Sequence, residues 1–310
     1  PVYLELADWY VNNNFEMYHG EIRLLYEKYL RLRPDDVEVL YGLAVSYTEE
    51  HSYRSVVEIG ETALAKNPGE ARLLALLAQA YAGLGDPDRA LELFAQYFDA
   101  IPAEERALYK DLQLVAKPEE LKVYESLPEE ERAAFLVTFW RKRDLTLFSG
   151  GLAREAEHYR RVWFVRTHFA KGVQPWDRRG EVFIRNGEPD YRSRSHAPNA
   201  VPSAEAEAVK ERLALDIVGG FVEFGEMTEE LFFRRTGEDT EEQELEDDKQ
   251  AFEYSGGNLI EPVYPVKFNE RSVPWESWIY TQVGGGVEFV FVDELLNGKW
   301  QFPSLPDGTR

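Results

Sequence analysis

The sequence predicts an α+β protein, with an N-terminal α-solenoid of about three helical hairpins followed by a domain of helices and antiparallel strands. Two observations predict this fold class. Pro34, Pro68 and Pro102 are spaced 34 residues apart, a period typical of stacked helical hairpins. In the C-terminal half the helical pattern gives way to short apolar runs, and 278–293 has the pattern of two strands joined by a three-glycine turn.

The segments 35–68 and 69–102 align as two copies of one helical hairpin. Both place small residues where two helices approach closely, bulky residues where the gap is filled, and a proline after the second helix. The matching residues are Leu40, Leu43, Ala44, Tyr47, Ala63 and Pro68 in the first copy and Leu74, Leu77, Ala78, Tyr81, Ala90, Phe94 and Pro102 in the second. The pattern resembles the tetratricopeptide repeat, and 1–34 is a weaker copy. We therefore expect a tetratricopeptide solenoid over 1–116.

Repeat arrays of this kind offer a concave groove lined by the first helix of each hairpin. The predicted groove residues are Tyr41, Val45, Arg72 and Gln79. Arg72 is the one basic residue among the predicted groove positions, so the resemblance does not extend to repeats that clamp a C-terminal carboxylate. The groove either binds a helix or loop of a partner or packs on the chain's own downstream segment, and the sequence leaves both open.

The middle of the chain, 117–150, is predicted to be a helical connector. Ser126 and Glu129 have the spacing of a capping box for a helix that runs through Trp140. A second helix is predicted after the Gly150–Gly151 break. Farther along, we predict a strand at 181–185 closed by an Asn186–Gly187 turn, a helix at 203–217 with Ser203 as its N-cap, and short strands at 221–224 and 299–302.

Several motif blocks follow one another in the C-terminal half. They are FWRKRD at 139–144, HYRRV at 158–162, PWDRRGEVFIRNGEPD at 175–190, PWESWIY at 274–280 and EFVFVD at 288–293. This order resembles the GWxTD domain family of bacterial proteins over about 120–303, although the name-giving motif is reduced here to Pro175-Trp176-Asp177-Arg178. The family has no established activity and often follows tetratricopeptide repeats in exported proteins. The resemblance implies a domain of this type at 151–310 and an extracytoplasmic location, whether secreted, periplasmic or at the cell surface.

The motif residues themselves suit structural roles better than catalytic ones. Glycine and proline are turn residues, and tryptophans are typical of a core. Arg143 and Asp144 are expected to pair with the turn at 187–190 as a buried ionic latch. The residues assigned structural roles are Trp140, Arg143, Asp144, Trp176, Asp177, Arg179, Gly180, Gly187, Pro189 and Asp190.

Composition excludes several classes of protein. The chain has 57 Asp and Glu against 35 Lys and Arg, a net charge of −22, which argues against binding to nucleic acid or to anionic membranes. It has no cysteine, so thiol nucleophiles and Cys-ligated metals are absent. It has no run of about 18 apolar residues that would cross a membrane.

The sequence carries no recognisable catalytic motif. The histidines at 19, 51, 158, 168 and 196 lack metal-binding spacing, and neither a GxSxG elbow nor a phosphate-binding loop is present. We therefore predict a protein that is not an enzyme. The alternative is an uncharacterised hydrolase, in which folding assembles an acid–base site from Glu155, Asp177, Asp190 and His196.

Charge is distributed unevenly along the chain. Residues 141–194 contain 13 Lys and Arg against 7 acids, and 238–248 contain 8 acids in 11 positions. The run lacks the spacing of a Ca²⁺-binding EF-hand loop, so no cofactor is predicted. We predict head-to-tail self-association into a filament, in which the acidic surface of one copy meets either the basic segment or the solenoid groove of the next. The alternative is a monomeric adaptor that binds a partner peptide in the groove. The predicted charged contacts are Arg160, Arg161, Arg178, Glu241, Glu242, Asp247 and Asp248.

Overall fold

The computed structural model describes residues 2–48, 50–144, 152–170, 172–173, 175–195, 201–218, 267–268 and 271–303. The chain divides into two compact units, and the boundary between them lies between His168 and Phe169. The first unit is helical and the second carries a small antiparallel sheet, which confirms the predicted α+β class. None of the helices within these ranges is long and apolar enough to cross a membrane.

The first unit is built from nine helices within the described ranges. They are α1 (Val2–Leu30), α2 (Val37–Thr48), α3 (Tyr53–Lys66), α4 (Ala71–Gly83), α5 (Pro87–Ala100), α6 (Ala103–Lys110), α7 (Pro118–Ser126), α8 (Glu129–Arg141) and α9 (Ala153–His168). The expectation of a third hairpin at 1–34 is wrong, because α1 is one continuous helix. Its range contains no proline that would remove a backbone hydrogen bond and break it.

The two predicted hairpins are formed by α2 with α3 and by α4 with α5. Each second helix ends just before the repeat proline, at Lys66 before Pro68 and at Ala100 before Pro102. Gly60 on α3 stands where the repeat usually has a bulky residue. A Cβ at this position would lie 2.8 Å from Leu77 Cδ2 on α4. The missing side chain therefore lets α3 and α4 pack closely around Leu77.

Helix α9 packs against both helices of the second hairpin, α4 and α5, and against α6. The contact is largely aromatic. The ring of Phe98 lies 5.0 Å from that of Tyr109 and 5.1 Å from that of Tyr159, and Phe94 lies 5.6 Å from Tyr159. In a longer array this surface would be covered by the next repeat. Here a downstream segment of the same chain covers it.

The predicted capping box at Ser126 is wrong. The Ser126 hydroxyl donates a hydrogen bond to the carbonyl of Val123, so it closes α7, and Pro128 is the N-cap of α8. Three consecutive glutamates in the first turn of α8 interact favourably with the helix dipole and make a side-chain cap unnecessary. The helix does run through Trp140, as expected.

The second unit contains α10 (Arg178–Asn186), β1 (Tyr191–Arg194), α11 (Ala204–Val218), β2 (Lys267–Phe268), β3 (Arg271–Ser272), β4 (Trp275–Tyr280) and β5 (Val287–Val292). Strands β1, β4 and β5 form an antiparallel sheet with β4 in the centre, and β2 pairs with β3. The predicted hairpin around the three glycines is confirmed by the β4–β5 register, in which Trp275 faces Val292. Ser203 caps α11 as expected, since its hydroxyl accepts from the Ala206 N–H.

The strand predicted at 181–185 is wrong, because these residues form α10. Asp177 caps this helix by accepting from the Arg179 N–H, and its consecutive apolar residues are buried. Gly187 ends it with a φ of +85°, a conformation that glycine adopts freely. The strand expected at 299–302 is reduced to one bridge between Gln301 and Val292, and the strand expected at 221–224 lies outside the described residues.

Candidate functional site

A pocket of about 310 Å³ opens in the first unit between the two hairpins and α9. Its wall is mostly aromatic and apolar, with charged side chains at the rim. The main lining residues are Tyr41, Arg72, Tyr97, Ile101, Glu105 and Trp163. The pocket thus combines residues of both tetratricopeptide-like hairpins with residues of the helix that folds back over them.

Arg72, which lines the pocket, forms ion pairs with two glutamates. Its Nη2 lies 2.7 Å from Glu38 Oε1, its Nη1 lies 3.2 Å from Glu38 Oε2, and its Nε lies 2.9 Å from Glu70 Oε1. The guanidinium also stacks 4.9 Å from the ring centroid of Tyr41. The hydrogen bonds that Arg72 donates to Glu38 and Glu70 raise the pKa of Arg72, and the bond with Arg72 lowers the pKa of Glu70. The charge of Arg72 is therefore already balanced by carboxylates of its own chain.

The second cation at the pocket is paired in the same way. Arg166 on α9 donates from Nε and Nη2 to the two carboxylate oxygens of Glu105, both at 2.7 Å. Hydrogen bonding to Glu105 raises the pKa of Arg166. The charged residues that line the pocket are Arg72, Arg166 and Glu105. Glu38 and Glu70 adjoin the pocket through their bonds to Arg72, so the charged cluster of these five side chains has three carboxylates and two guanidiniums, a net charge of about −1.

The four predicted groove residues differ in burial and in whether they line the pocket. Tyr41 and Arg72 line the pocket, and Val45 is half-buried on α2. Gln79 on α4 is 2% exposed, and its Oε1 has no hydrogen-bond partner within the described ranges. Helix α9 packs on α4, as in the alternative in which the groove packs on the chain's own downstream segment, and a pocket remains beside Arg72.

Replacing Gln79 with Met is expected to raise the free energy of unfolding by about 1 kcal/mol. A buried acceptor without a partner costs about 1–3 kcal/mol, and Met has a similar shape without the amide. Urea denaturation of the full chain measures the change, with the exposed Gln113→Met as the matched control. A Gln79→Met variant less stable than the wild type would show that the amide is satisfied.

Four charged residues of the second unit form a cluster of ion pairs, which we call the ionic latch: Asp177, Arg179, Arg192 and Glu276. Arg179 donates from Nη2 to Asp177 Oδ2 at 2.7 Å and from Nη1 to Glu276 Oε2 at 3.1 Å. Arg192 donates to Glu276 as well. The latch therefore ties the start of α10 to the adjacent strands β1 and β4.

Aromatic rings enclose the ionic latch. The guanidinium of Arg179 lies 4.7 Å from the ring centroid of Phe169 and 4.6 Å from that of Trp300. Burial raises the pKa of Asp177 despite its bonds with Arg179. Burial also acts to raise the pKa of Glu276, but the opposing charges of Arg192 and Arg179 outweigh it, and the pKa is lowered. Glu276 is therefore a buried carboxylate held in its ionised form.

The remaining motif residues make structural contacts. The carbonyl of Gly187 accepts from the Tyr280 hydroxyl at 2.8 Å, and Asp190 accepts from the N–H and hydroxyl of Thr281 at 2.6 and 2.9 Å. Gly180 is buried in α10, while Pro189 and Trp176 are half-buried. Together they fasten the end of α10 to the end of β4.

The motif residues of the first unit also have defined partners. Arg143 donates to Glu120 and to the carbonyl of Phe139. Asp144 accepts from the Ala153 N–H at the start of α9. Trp140 is 2% exposed and stacks on His158, with 4.8 Å between the ring centroids. Arg143, which is expected from the sequence to pair with the turn at 187–190, pairs with Glu120 in its own unit.

The carboxylates of the hydrolase alternative have separate partners. Glu155 accepts from the Tyr159 hydroxyl, Asp177 caps α10, and Asp190 binds Thr281. Burial raises the pKa of Glu155. His196 lies outside the described residues, and within the described residues no group of three or more His, Asp or Glu side chains is placed to hold a metal ion.

The basic residues predicted to face an acidic partner are largely neutralised within the chain. Arg160 and Arg161 both pair with Glu157, and Arg178 pairs with Glu181. Burial acts to raise the pKa of Glu157, but the two arginines outweigh it and lower the pKa to about 2. The acidic positions Glu241, Glu242, Asp247 and Asp248 lie outside the described residues.

Sequence reasoning missed several residues of the site. The pocket is lined in part by residues of helices that no groove pattern assigns: Tyr97, Glu105, Trp163 and Arg166. Glu276 lies within the PWESWIY block, before the predicted strand, and the sequence analysis assigns it no role. An acidic residue between Trp275 and Trp278 is the signal that indicates a buried ion-pair partner.

The family model for the tetratricopeptide repeat matches residues 47–114. The match includes α3, α4, α5 and α6 and agrees with the repeat alignment. It supports the tetratricopeptide part of the prediction and indicates a role in protein–protein interaction, since these repeats are protein-binding modules. A search of the curated proteins finds no matching relative.

Proposed function

We propose that this protein is a non-catalytic interaction protein that takes a segment of a partner protein into the pocket of the first unit. The observation that carries the proposal is the pocket itself. It lies where a matched tetratricopeptide region meets α9, and its wall is aromatic. Concave pockets with apolar walls and a few polar groups are the usual binding sites of proteins.

The chemistry of the pocket defines the kind of segment that it suits. Arg72 and Arg166 are already bonded to carboxylates, so an incoming acidic group would have to compete with those carboxylates for either side chain. The rings of Tyr41 and Trp163 favour aliphatic or cationic groups. We therefore propose that the partner inserts an aliphatic side chain, with a basic residue nearby to meet the net negative charge of the charged cluster beside the pocket.

The proposal includes an extracytoplasmic location and a GWxTD-type second domain. Both rest on the motif resemblance over 120–303, whose residues at 177–190 serve as cap, latch and turn in the second unit. We do not extend the proposal to hydrolysis, because Asp177 and Asp190 are each engaged in structural hydrogen bonds.

Filling the pocket is expected to abolish binding. Ala71 lines the pocket at the first position of α4, and Ala71→Phe adds a ring there without removing an existing side-chain contact. Peptides selected from a random display library on the full chain should bind the wild type and lose at least about tenfold in affinity for the variant, a change of about 1.4 kcal/mol. Fluorescence anisotropy measures the dissociation constants.

The matched control is Ala95→Phe, which adds the same ring at an exposed position of α5. It should bind the selected peptides like the wild type. Selected peptides that bind the Ala71→Phe variant and the wild type equally well would place the binding surface elsewhere and overturn the proposal.

A further inference from the structure

The loop that follows β5 presents two adjacent leucines to solvent. Leu295 is 74% exposed and Leu296 is 72% exposed. Leu296 also has a φ of +53°, which lies in the left-handed region that residues other than Gly, Asn and Asp rarely adopt. We call Leu295 and Leu296 the leucine knob. Its exposure and its backbone strain are both unfavourable for the isolated chain.

The loop backbone is fixed in this conformation by a buried carboxylate. Asp293 is 7% exposed and accepts from the N–H groups of Asn297 at 3.0 Å and Gly298 at 2.8 Å. The Leu296 N–H donates to the Asp293 carbonyl at 3.2 Å. Strained conformations persist where surrounding contacts over-determine them, and they are concentrated at binding sites. The knob is therefore a preordered element whose two leucines are exposed to solvent, with no apolar cover among the described residues of its own unit.

The pocket of the first unit matches the knob in size and chemistry. A cavity of about 150 Å³ is enough to hold benzene, so a pocket of about 310 Å³ has room for a leucine side chain. Its walls at Tyr41, Ile101 and Trp163 are apolar or aromatic. Lys299, three residues after the knob, is exposed and makes no ion pair with the described part of the chain. Its charge is opposite in sign to the net charge of the cluster that Glu38, Glu70 and Glu105 form with the two arginines beside the pocket.

We infer that the leucine knob of one molecule inserts into the pocket of a second copy of this chain. The inference rests on the proposed function of the pocket and identifies its partner. Knob and pocket are different surfaces, so each molecule in such a contact keeps one free knob and one free pocket. A heterologous contact of this kind adds further copies head to tail and extends into a filament unless the ring closes.

Two complementary variants test the inference on the full chain. The knob variant Leu295→Ser/Leu296→Asn removes the apolar side chains, and its Asn tolerates the positive φ. The pocket variant is Ala71→Phe. By analytical ultracentrifugation the wild type should form species larger than a dimer that grow with concentration, and each variant alone should remain monomeric. An equimolar mixture of the two should stop at a heterodimer, which holds one intact contact.

The other outcomes separate this inference from the proposed function. A monomeric wild type that still binds selected peptides in the pocket overturns the knob inference and leaves the pocket function standing. Self-association that survives in the knob variant has the same meaning. A wild type that neither binds selected peptides nor self-associates overturns both the inference and the proposed function. Co-sedimentation of monomeric wild type, but not of the knob variant, with zwitterionic lipid vesicles assigns the leucines to a membrane surface and overturns the inference.

Discussion

Glu276→Gln is expected to lower the free energy of unfolding of the second unit by about 3–5 kcal/mol, the cost of breaking a buried ion pair from one side. The Glu276 carboxylate is 2% exposed and receives hydrogen bonds from Arg179, Arg192 and Trp278. Removing its charge leaves two guanidiniums near one another with Asp177 as their remaining carboxylate in the ionic latch. The neutral amide of glutamine does not replace the charge that offsets the desolvation of the two guanidiniums.

Hydrogen exchange in increasing urea, followed on peptides of β4 and β5, measures the change in the second unit alone. The matched control is Glu181→Gln, which removes the same charge from the exposed pair with Arg178 and should cost no more than about 1 kcal/mol. Equal effects of the two substitutions would show that the ionic latch does not stabilise the unit. Because the Arg178 N–H also bonds to the Trp300 carbonyl and Arg179 stacks on Trp300, loosening the latch should raise exchange in the adjoining knob loop as well.

The first unit is expected to lose stability as the pH falls below 6.5, by up to about 1.4 kcal/mol per pH unit through His158. The imidazole is 4% exposed, and its Nε2–H donates to the Tyr109 carbonyl at 3.1 Å. Its Nδ1 has no partner within the described ranges, so a proton there would be buried without an acceptor. Burial first, and then the charges of Arg161 and Arg154, lower the pKa of His158 to about 3.

The direction of the pH effect follows from proton binding. Between about pH 3 and the ordinary pKa of 6.5, the unfolded chain binds a proton at His158 that the folded chain does not, so unfolding is favoured by acid. Glu157, with a pKa of about 2 against an ordinary 4.5, adds in the same direction at lower pH. Glu155 opposes it there, because its pKa is raised. The range just below pH 6.5 therefore isolates His158.

His158→Gln removes the titrating group and should flatten the pH dependence of the stability of the first unit in this range. Hydrogen exchange in increasing urea, followed on peptides of α8 and α9 at each pH of a series, measures that stability. The matched control is His51→Gln, which makes the same substitution at an exposed histidine of the first unit. A His158→Gln variant with the full wild-type slope would mean that another group in the first unit carries the acid sensitivity.

The repeat region was predictable because its information is local and periodic. Small and bulky residues at a spacing of 34 positions specify two hairpins, and Pro68 and Pro102 mark where helices end. The 181–185 segment was not predictable by the same means. Its short apolar run suits a strand or a helix, and the cap at Asp177 with the positive φ of Gly187 decides for α10.

The sequence by itself determined the two hairpins, the β4–β5 hairpin and the helical nature of α8 and α9. Each of these follows from spacing within a few tens of residues. The tertiary structure alone decided that α9 folds back over α4 and α5, that Arg72 is neutralised by Glu38 and Glu70, and that Arg179 meets Glu276 across 97 positions. Those contacts join residues far apart in the chain. Whether a charge is free or paired depends on burial and distance, which no linear pattern contains.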